Sequence, residues 1–243
     1  MKLARAVAAV GVGYLFGSLS FSRFVGRFVA PGEDLSQSEI PLSGGGTMEY
    51  SVVSATTVAM RAGPVPGIIT GILDSSKSYF PTRYAMQRWP DEPYHVLVAA
   101  GAMAGHNWPL FHRFKGGRGQ TPFYGGLAAM DWISIPVTTA AGIALGLGVF
   151  RDVLAAYSAG MWLTIPFAVW RRDWPQVAYT VIGNSVYSVA MIPEARMYFE
   201  LRESGQIERL RTFKDFINSY PAMQRSEKEQ GPTAPDDMEA DAR

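Results

Sequence analysis

Cysteine is absent from the sequence and histidine is scarce, with His95, His106 and His112 as its only three examples. The first absence excludes disulfide scaffolds, thiolate metal sites and cysteine nucleophiles. The second argues against a multi-histidine metal centre. Charge imbalance is also missing. A formal net charge of +1 argues against nucleic acid as the main partner. Mean hydropathy is only +0.03, but that average hides a division. The apolar residues lie in long runs, and the C-terminal part of the chain is polar.

Five runs carry no Asp, Glu, Lys or Arg: residues 6–22, 94–112, 132–150, 153–170 and 174–193. Each approaches the ~20 residues that span a bilayer. Two further candidates are compromised. Residues 62–84 contain Asp74, Lys77 and Arg83, and residues 119–130 are short. So many runs in one chain predict an all-α polytopic membrane protein of about seven transmembrane helices, one of them short. A large soluble helical core is the alternative. Lys2 and Arg5 ahead of the first run also fit a secretory signal, with Ser18 and Ser20 near a cleavage site. The later runs are equally apolar, however, and the bundle needs this helix.

Residues 23–50 read as a polar, turn-rich loop outside the hydrocarbon, with Pro31, Gly32, Pro41 and Gly44 to Gly46. The hydroxyls of residues 54–58 either cap a helix or face a ligand. Asp74 and Lys77 share a helix face. They form either a buried pair or, with Lys77 snorkelling, no pair at all. Gly125 and Gly126 permit close helix packing. Trp162, Trp170 and Trp174 suit an interfacial belt. Arg151–Asp152 and residues 171–173 mark tight turns. The organisation expected is a helical bundle with phosphate-binding loops over residues 1–200, an amphipathic segment over 201–225 and a disordered tail over 226–243. Basic residues favour an outside N-terminus with the loops and tail cytoplasmic, although Arg171 and Arg172 run against that bias.

The chemistry concentrates in residues 105–121, GHNWPLFHRFKGGRGQT. Glycine lets successive N–H groups converge on an anion. Lys115 and Arg118 flank Gly116 and Gly117, so charge and N–H donors can meet at one phosphate. The spacing is not that of a Walker A loop. A basic loop touching anionic headgroups is the plainer reading. His106 is either a hydrogen-bonded helix cap or a group that takes a hydroxyl proton.

This stretch resembles the second signature of the bacterial acyl-phosphate:glycerol-3-phosphate acyltransferases, roughly GHxFPxFxxFKGGKGxAT. Gly105, His106, Pro109, Phe111, Phe114, Lys115, Gly116, Gly117 and Gly119 match, Thr121 closes the pattern, and Arg118 replaces a lysine. GSLSF at residues 17–21 and ATTV at 55–58 resemble that family's GSIPF and ATNV. Arg61, Gly63, Gly67, Asp74 and Lys77 follow its R…G…G…DxxK order, with the arginine one place off. The chain departs from the pattern elsewhere. The family's GSGN segment reads EYSV here, with Ser51 one place from the expected serine. In the third signature, near HRxNIxRLxxGxE, Arg196 and Gly205 match, but Ala195 and Tyr198 stand at the histidine and asparagine positions.

The resemblance implies a seven-helix, multi-pass inner-membrane enzyme with a cytoplasmic active site. Such enzymes move a fatty acyl group from acyl phosphate to glycerol 3-phosphate, giving lysophosphatidic acid, without metal or CoA. It implies catalytic roles for His106, Ser51 and Lys115. It implies substrate binding by Thr56, Arg61, Asn107, Gly116, Gly117, Arg118, Gly119, Thr121 and Arg196. The partners implied are acyl phosphate, glycerol 3-phosphate or a related acceptor, and membrane lipids. No protein partner is indicated. The alternative is a family member that binds lipid or assembles with other proteins without turnover. A transporter is less supported, because no internal repeat or pair of broken helices is visible.

Overall fold

The computed structural model describes residues 2–36, 38–41, 47–50 and 52–207. Ser51 and the segments 208–225 and 226–243 lie outside them, so the roles expected there are not addressed by the fold. The described chain is a helical bundle with one short hairpin. Its helices are α1 (Leu3–Gly17), α2 (Phe21–Val29), α3 (Ala55–Ala62), α4 (Pro64–Arg88), α5 (Tyr94–Asn107), α6 (Gln120–Asp131), α7 (Ser134–Leu145), α8 (Val153–Arg171) and α9 (Trp174–Glu203). Strands β1 (Ser38–Pro41) and β2 (Thr47–Tyr50) pair antiparallel, with Ser38 opposite Tyr50.

Small residues hold α1 against α5. A Cβ on Gly13 would sit 2.1 Å from the Val98 carbonyl oxygen, and one on Gly17 would sit 2.0 Å from that of Ala102. From the other side, Cβ atoms on Gly101 and Gly105 would sit 2.4 and 2.1 Å from the carbonyl oxygens of Val10 and Tyr14. The two helices therefore run parallel with backbones nearly touching, through a reciprocal pair of GxxxG stripes. That device was present in the sequence and lies outside the expectations above. The expected close packing at α6 is found. A Cβ on Gly125 would meet the Ser75 carbonyl oxygen of α4 at 2.1 Å, and one on Gly126 would meet the Tyr179 hydroxyl of α9 at 2.4 Å.

The main core joins α5, α6, α8 and α9 through Val96, Met103, Phe123, Leu127, Met161 and Tyr179. Phe123 and Tyr179 stack at 5.4 Å, and the buried Tyr179 hydroxyl donates to the Phe123 carbonyl at 2.9 Å. Outward faces are apolar. Ile68, Ile72, Phe80 and Val149 are exposed, as are Trp162, Trp170 and Trp174. Such faces suit lipid rather than water. Among the described residues, two segments, Leu3–Val29 and Val153–Arg171, are long and apolar enough to cross a membrane alone. The other helices are shorter or carry the buried charges described below.

Three boundaries differ from the sequence reading. Residues 21–29 form helix α2 rather than the start of a loop. Ser20 caps it by accepting the Arg23 N–H, and Phe24, Val25, Phe28 and Val29 recur at helical spacing. The second span opens at Pro64, after Gly63 with φ 92° ends α3, and runs on to Arg88 rather than Tyr84. The third span stops at Asn107 rather than His112. The expected turns are present. Arg151 and Arg172 adopt left-handed conformations, and Asp152 and Asp173 cap α8 and α9 by accepting the N–H groups of Ala155 and Gln176. The last helix continues through Pro193 to Glu203.

Candidate active site

The site begins beneath the glycine-rich loop, in the bundle. Asp74 and Lys77 form a buried ion pair, Nζ to Oδ1 at 2.8 Å. This decides the question the sequence left open, since a buried Lys77 cannot snorkel. Lys77 Nζ also donates to the Leu19 carbonyl at 2.8 Å and lies 2.8 Å from His106 Nδ1. Ser22 reaches the second Asp74 oxygen at 3.5 Å. A buried charge is tolerated when paired and hydrogen-bonded in this way. With Lys77 donating to Nδ1, the imidazole proton falls on Nε2. That atom faces the loop, because a Cβ on Gly117 would sit 2.1 Å from it.

The loop is fixed by its own backbone. Gly117 N–H donates to the His106 carbonyl at 3.1 Å, Phe114 N–H to that of Pro109 at 3.0 Å and Lys115 N–H to that of His112 at 3.1 Å. Arg113 and Phe114 both have positive φ, at 53° and 59°. Two consecutive left-handed residues with side chains cost about 1–2 kcal/mol each, and only a surrounding structure that over-determines them keeps them there. Gly119, at φ 84°, passes over Asn107, whose Oδ1 would lie 2.6 Å from an added Cβ. Asn107 is buried, and neither amide atom has a hydrogen-bond partner among the described residues.

The loop's cations are used differently. Lys115 is exposed, and no carboxylate of the described residues pairs with it. Arg118 instead makes a two-point fork with Glu194 of α9, with Nε donating to Oε2 at 2.8 Å and the second nitrogen bonding Oε1. Arg23 of α2 donates to the Lys115 carbonyl at 2.8 Å and to Ser20 Oγ at 3.2 Å. Beside it lies an open cavity of about 280 Å³, lined by Arg23, Arg27, Glu33, Asp34, Ser36 and Val53 among others. Arg61 pairs with Glu33 at 3.1 Å. Two lining residues thus reach beyond the cavity, Glu33 to Arg61 and Arg23 to the Lys115 carbonyl. Ser36 donates its N–H and hydroxyl to Asp34 at 2.8 and 2.7 Å. These bonds hold the Asp34 carboxyl below its ordinary pKa, so it is ionised. Partial burial, with Arg23, Arg27 and Lys77 nearby, pushes His112 below its ordinary value, so it is neutral at pH 7.

The remaining sequence-predicted residues are dispersed. Thr56 is half-buried in the first turn of α3, where its neighbour Thr57 donates to the Val52 carbonyl. Thr121 is half-buried in α6, and its carbonyl accepts from Ser75 at 3.1 Å. Arg196 is exposed on α9. Sequence reasoning missed three polar links: Arg23 to Lys115, Arg118 to Glu194, and Tyr198 and Arg202 to Asp152, at 3.1 and 2.6 Å. One of these had a signal. Glu194 is the only acid between Asp173 and Glu200, and a lone acid at the end of an apolar stretch needs a partner.

The model of the glycerol-3-phosphate acyltransferase family matches residues 7–212. A glycerol-3-phosphate acyltransferase of Albidiferax ferrireducens is 29% identical over 167 residues, 66% of this chain and 60% of that protein. The chain thus spans less than two thirds of that relative. Glycerol-3-phosphate acyltransferase 2 of Moorella thermoacetica is 30% identical over 180 residues, 73% of this chain and 86% of that protein. In fold, the chain is similar to the glycerol 3-phosphate form of PlsY (YgiH), an integral membrane glycerol 3-phosphate acyltransferase. The TM-score is 0.64 at 20% identity, over 86% of this chain and 97% of that one. With the family model covering most of the sequence, the chain belongs to the glycerol-3-phosphate acyltransferase family.

Proposed function

We propose that this protein is a membrane acyltransferase that moves a fatty acyl group from acyl phosphate to glycerol 3-phosphate, yielding lysophosphatidic acid and phosphate. The observation that carries the reading is the glycine-rich loop, which is locked by backbone bonds over a buried Asp74–Lys77–His106 cluster and leaves Lys115 exposed. An acyl phosphate is already activated. The protein therefore has mainly to hold phosphate and align a hydroxyl with the acyl carbon. The acceptor hydroxyl oxygen bonds to the acyl carbon, the carbon–oxygen bond to phosphate breaks, and phosphate departs. The hydroxyl proton passes to a phosphate oxygen of the substrates. Lys115 and the backbone of Gly116 and Gly117 hold phosphate, with Arg61 as a further cation from α3. His106, walled in by Lys77 and Gly117, serves as a positioning group beneath the loop. Arg118, Asn107, Gly119 and Thr121 set the loop's shape around the substrate, and Arg196 offers a further cation from α9. The protein sits in the inner membrane with its N-terminus outside and these loops cytoplasmic.

A second reading has an observation of its own. The third-signature region is committed to ties within the protein, through Glu194 to Arg118 and through Tyr198 and Arg202 to Asp152. A lipid-binding or assembly subunit would keep such ties and dispense with turnover. The purified protein incubated with acyl phosphate and glycerol 3-phosphate separates the two. Lysophosphatidate formation supports the enzyme. Tightly bound phospholipid with no product supports the subunit.

A further inference from the structure

Helix α2 has two unlike edges. Phe24 and Phe28, four residues apart, pack edge to face at 5.3 Å and are exposed. Arg23 and Arg27, at the same spacing, line the cavity. The cavity also contains two carboxylates: Glu33 is paired with Arg61 at 3.1 Å, and Asp34, held by the N–H and hydroxyl of Ser36, keeps its charge in the field of Arg23 and Arg61, which leaves Arg27 as the uncommitted cation among the described lining residues. Arg27 is exposed and has no carboxylate partner among the described residues. Arg23 spends hydrogen bonds on Ser20 and on the Lys115 carbonyl, which fixes its guanidinium beside the glycine-rich loop. Among the described residues that line the cavity, the charged ones are Arg23, Arg27, Glu33 and Asp34, and the Glu33 carboxylate is already paired with Arg61 from α3.

The geometry points to an anion subsite on α2, in which Arg23 and Arg27 bind a phosphate monoester next to Lys115. This rests on the acyltransferase reading for its context but assigns residues outside all the sequence signatures. Arginine forks suit phosphate oxygens. Two forks one helical turn apart can grip one phosphate from the same side. The phosphate can arrive from either of two sources. The cavity is open to water, and the aromatic edge of α2 places it beside the lipid, where the phosphate of a phosphatidic acid headgroup would lie.

The test is calorimetric titration of the purified full chain in neutral detergent, first with inorganic phosphate and then with micelles containing phosphatidic acid. Arg27→Gln carries the test because Arg27 is exposed and supports no other segment. Arg23→Gln and Arg27→Lys accompany it. Weakening of inorganic phosphate binding by about tenfold in Arg27→Gln, partly restored in Arg27→Lys, supports the subsite with free phosphate as its occupant. The same loss seen only with phosphatidic acid supports the subsite with a headgroup as its occupant. Wild-type affinity for both probes in Arg27→Gln and Arg23→Gln overturns it, as does a wild type that binds neither. Lysophosphatidate formation, measured separately, tells whether the acyltransferase reading survives such a result.

Discussion

Lys115 and Arg118 stand three residues apart in one loop and have opposite fates. Lys115 projects from a backbone pinned by Arg23, His112 and His106, with no carboxylate of the described residues on it. Arg118 turns inward and is held by both oxygens of Glu194. In composition the two are equivalent cations beside glycines. In the fold, one is available to a ligand and the other ties the loop to α9. Cationic charge near a glycine turn is therefore an incomplete criterion for a phosphate site, because the partners a cation already has decide what it can bind.

Substitutions that move the loop should blur this contrast most. In Gly117→Ala the new Cβ meets the His106 ring at 2.1 Å. The clash forces the loop off its support, with a stability loss of about 1–3 kcal/mol and turnover falling with it. Thermal unfolding in detergent and the rate of product formation should drop together. A neutral result in both would show that the ring yields freely and that the buried cluster does not hold the loop.

Glu194→Gln sharpens the contrast from the Arg118 side. It leaves a partly buried guanidinium with a neutral partner. Breaking a buried pair costs about 3–5 kcal/mol, and the partial exposure of Arg118 reduces this to about 1–3 kcal/mol. Stability should fall more than turnover, and denaturant titration should show it. If turnover were lost at unchanged stability, Glu194 would belong to the chemistry rather than to the tie.

A smaller effect is expected at the far end of α9. Tyr198→Phe removes one hydrogen bond to Asp152 while Arg202 keeps its own, a loss of about 1 kcal/mol. The smallest effect concerns His112. Its pKa is lowered in the folded state, so the unfolded chain binds the proton more readily. The associated stability is fully present above the ordinary histidine pKa and is lost as pH falls below it through the folded value. The drop in melting midpoint between pH 7.5 and 5.5 should therefore be slightly smaller in His112→Gln than in wild type.

Much of this architecture is legible in the sequence because its signals are local. Charge-free runs mark the spans, and Asp152 and Asp173 mark caps. Asp74 and Lys77 sit one turn apart, and the glycine-rich loop carries its own spelling. What stayed hidden depends on distant segments meeting. Glu194 lies 76 residues from Arg118. Nothing near Arg23 announces that it will bond the backbone of the Lys115 loop. His106 reads in sequence as either a helix cap or a base, and only packing shows Gly117 over it and Lys77 beside it. The paired GxxxG stripes of α1 and α5 were readable but are short enough to be passed over in glycine-rich apolar runs. Helix α2 was obscured by its arginines, which make an interfacial helix read as a polar loop.

The claim that Lys115 serves the ligand is tested most directly by the initial rate of lysophosphatidate formation in Lys115→Ala beside wild type, with melting midpoints recorded in the same detergent. The account predicts a loss of about 10²-fold or more with the midpoint essentially unchanged. A variant that turns over at the wild-type rate would contradict it.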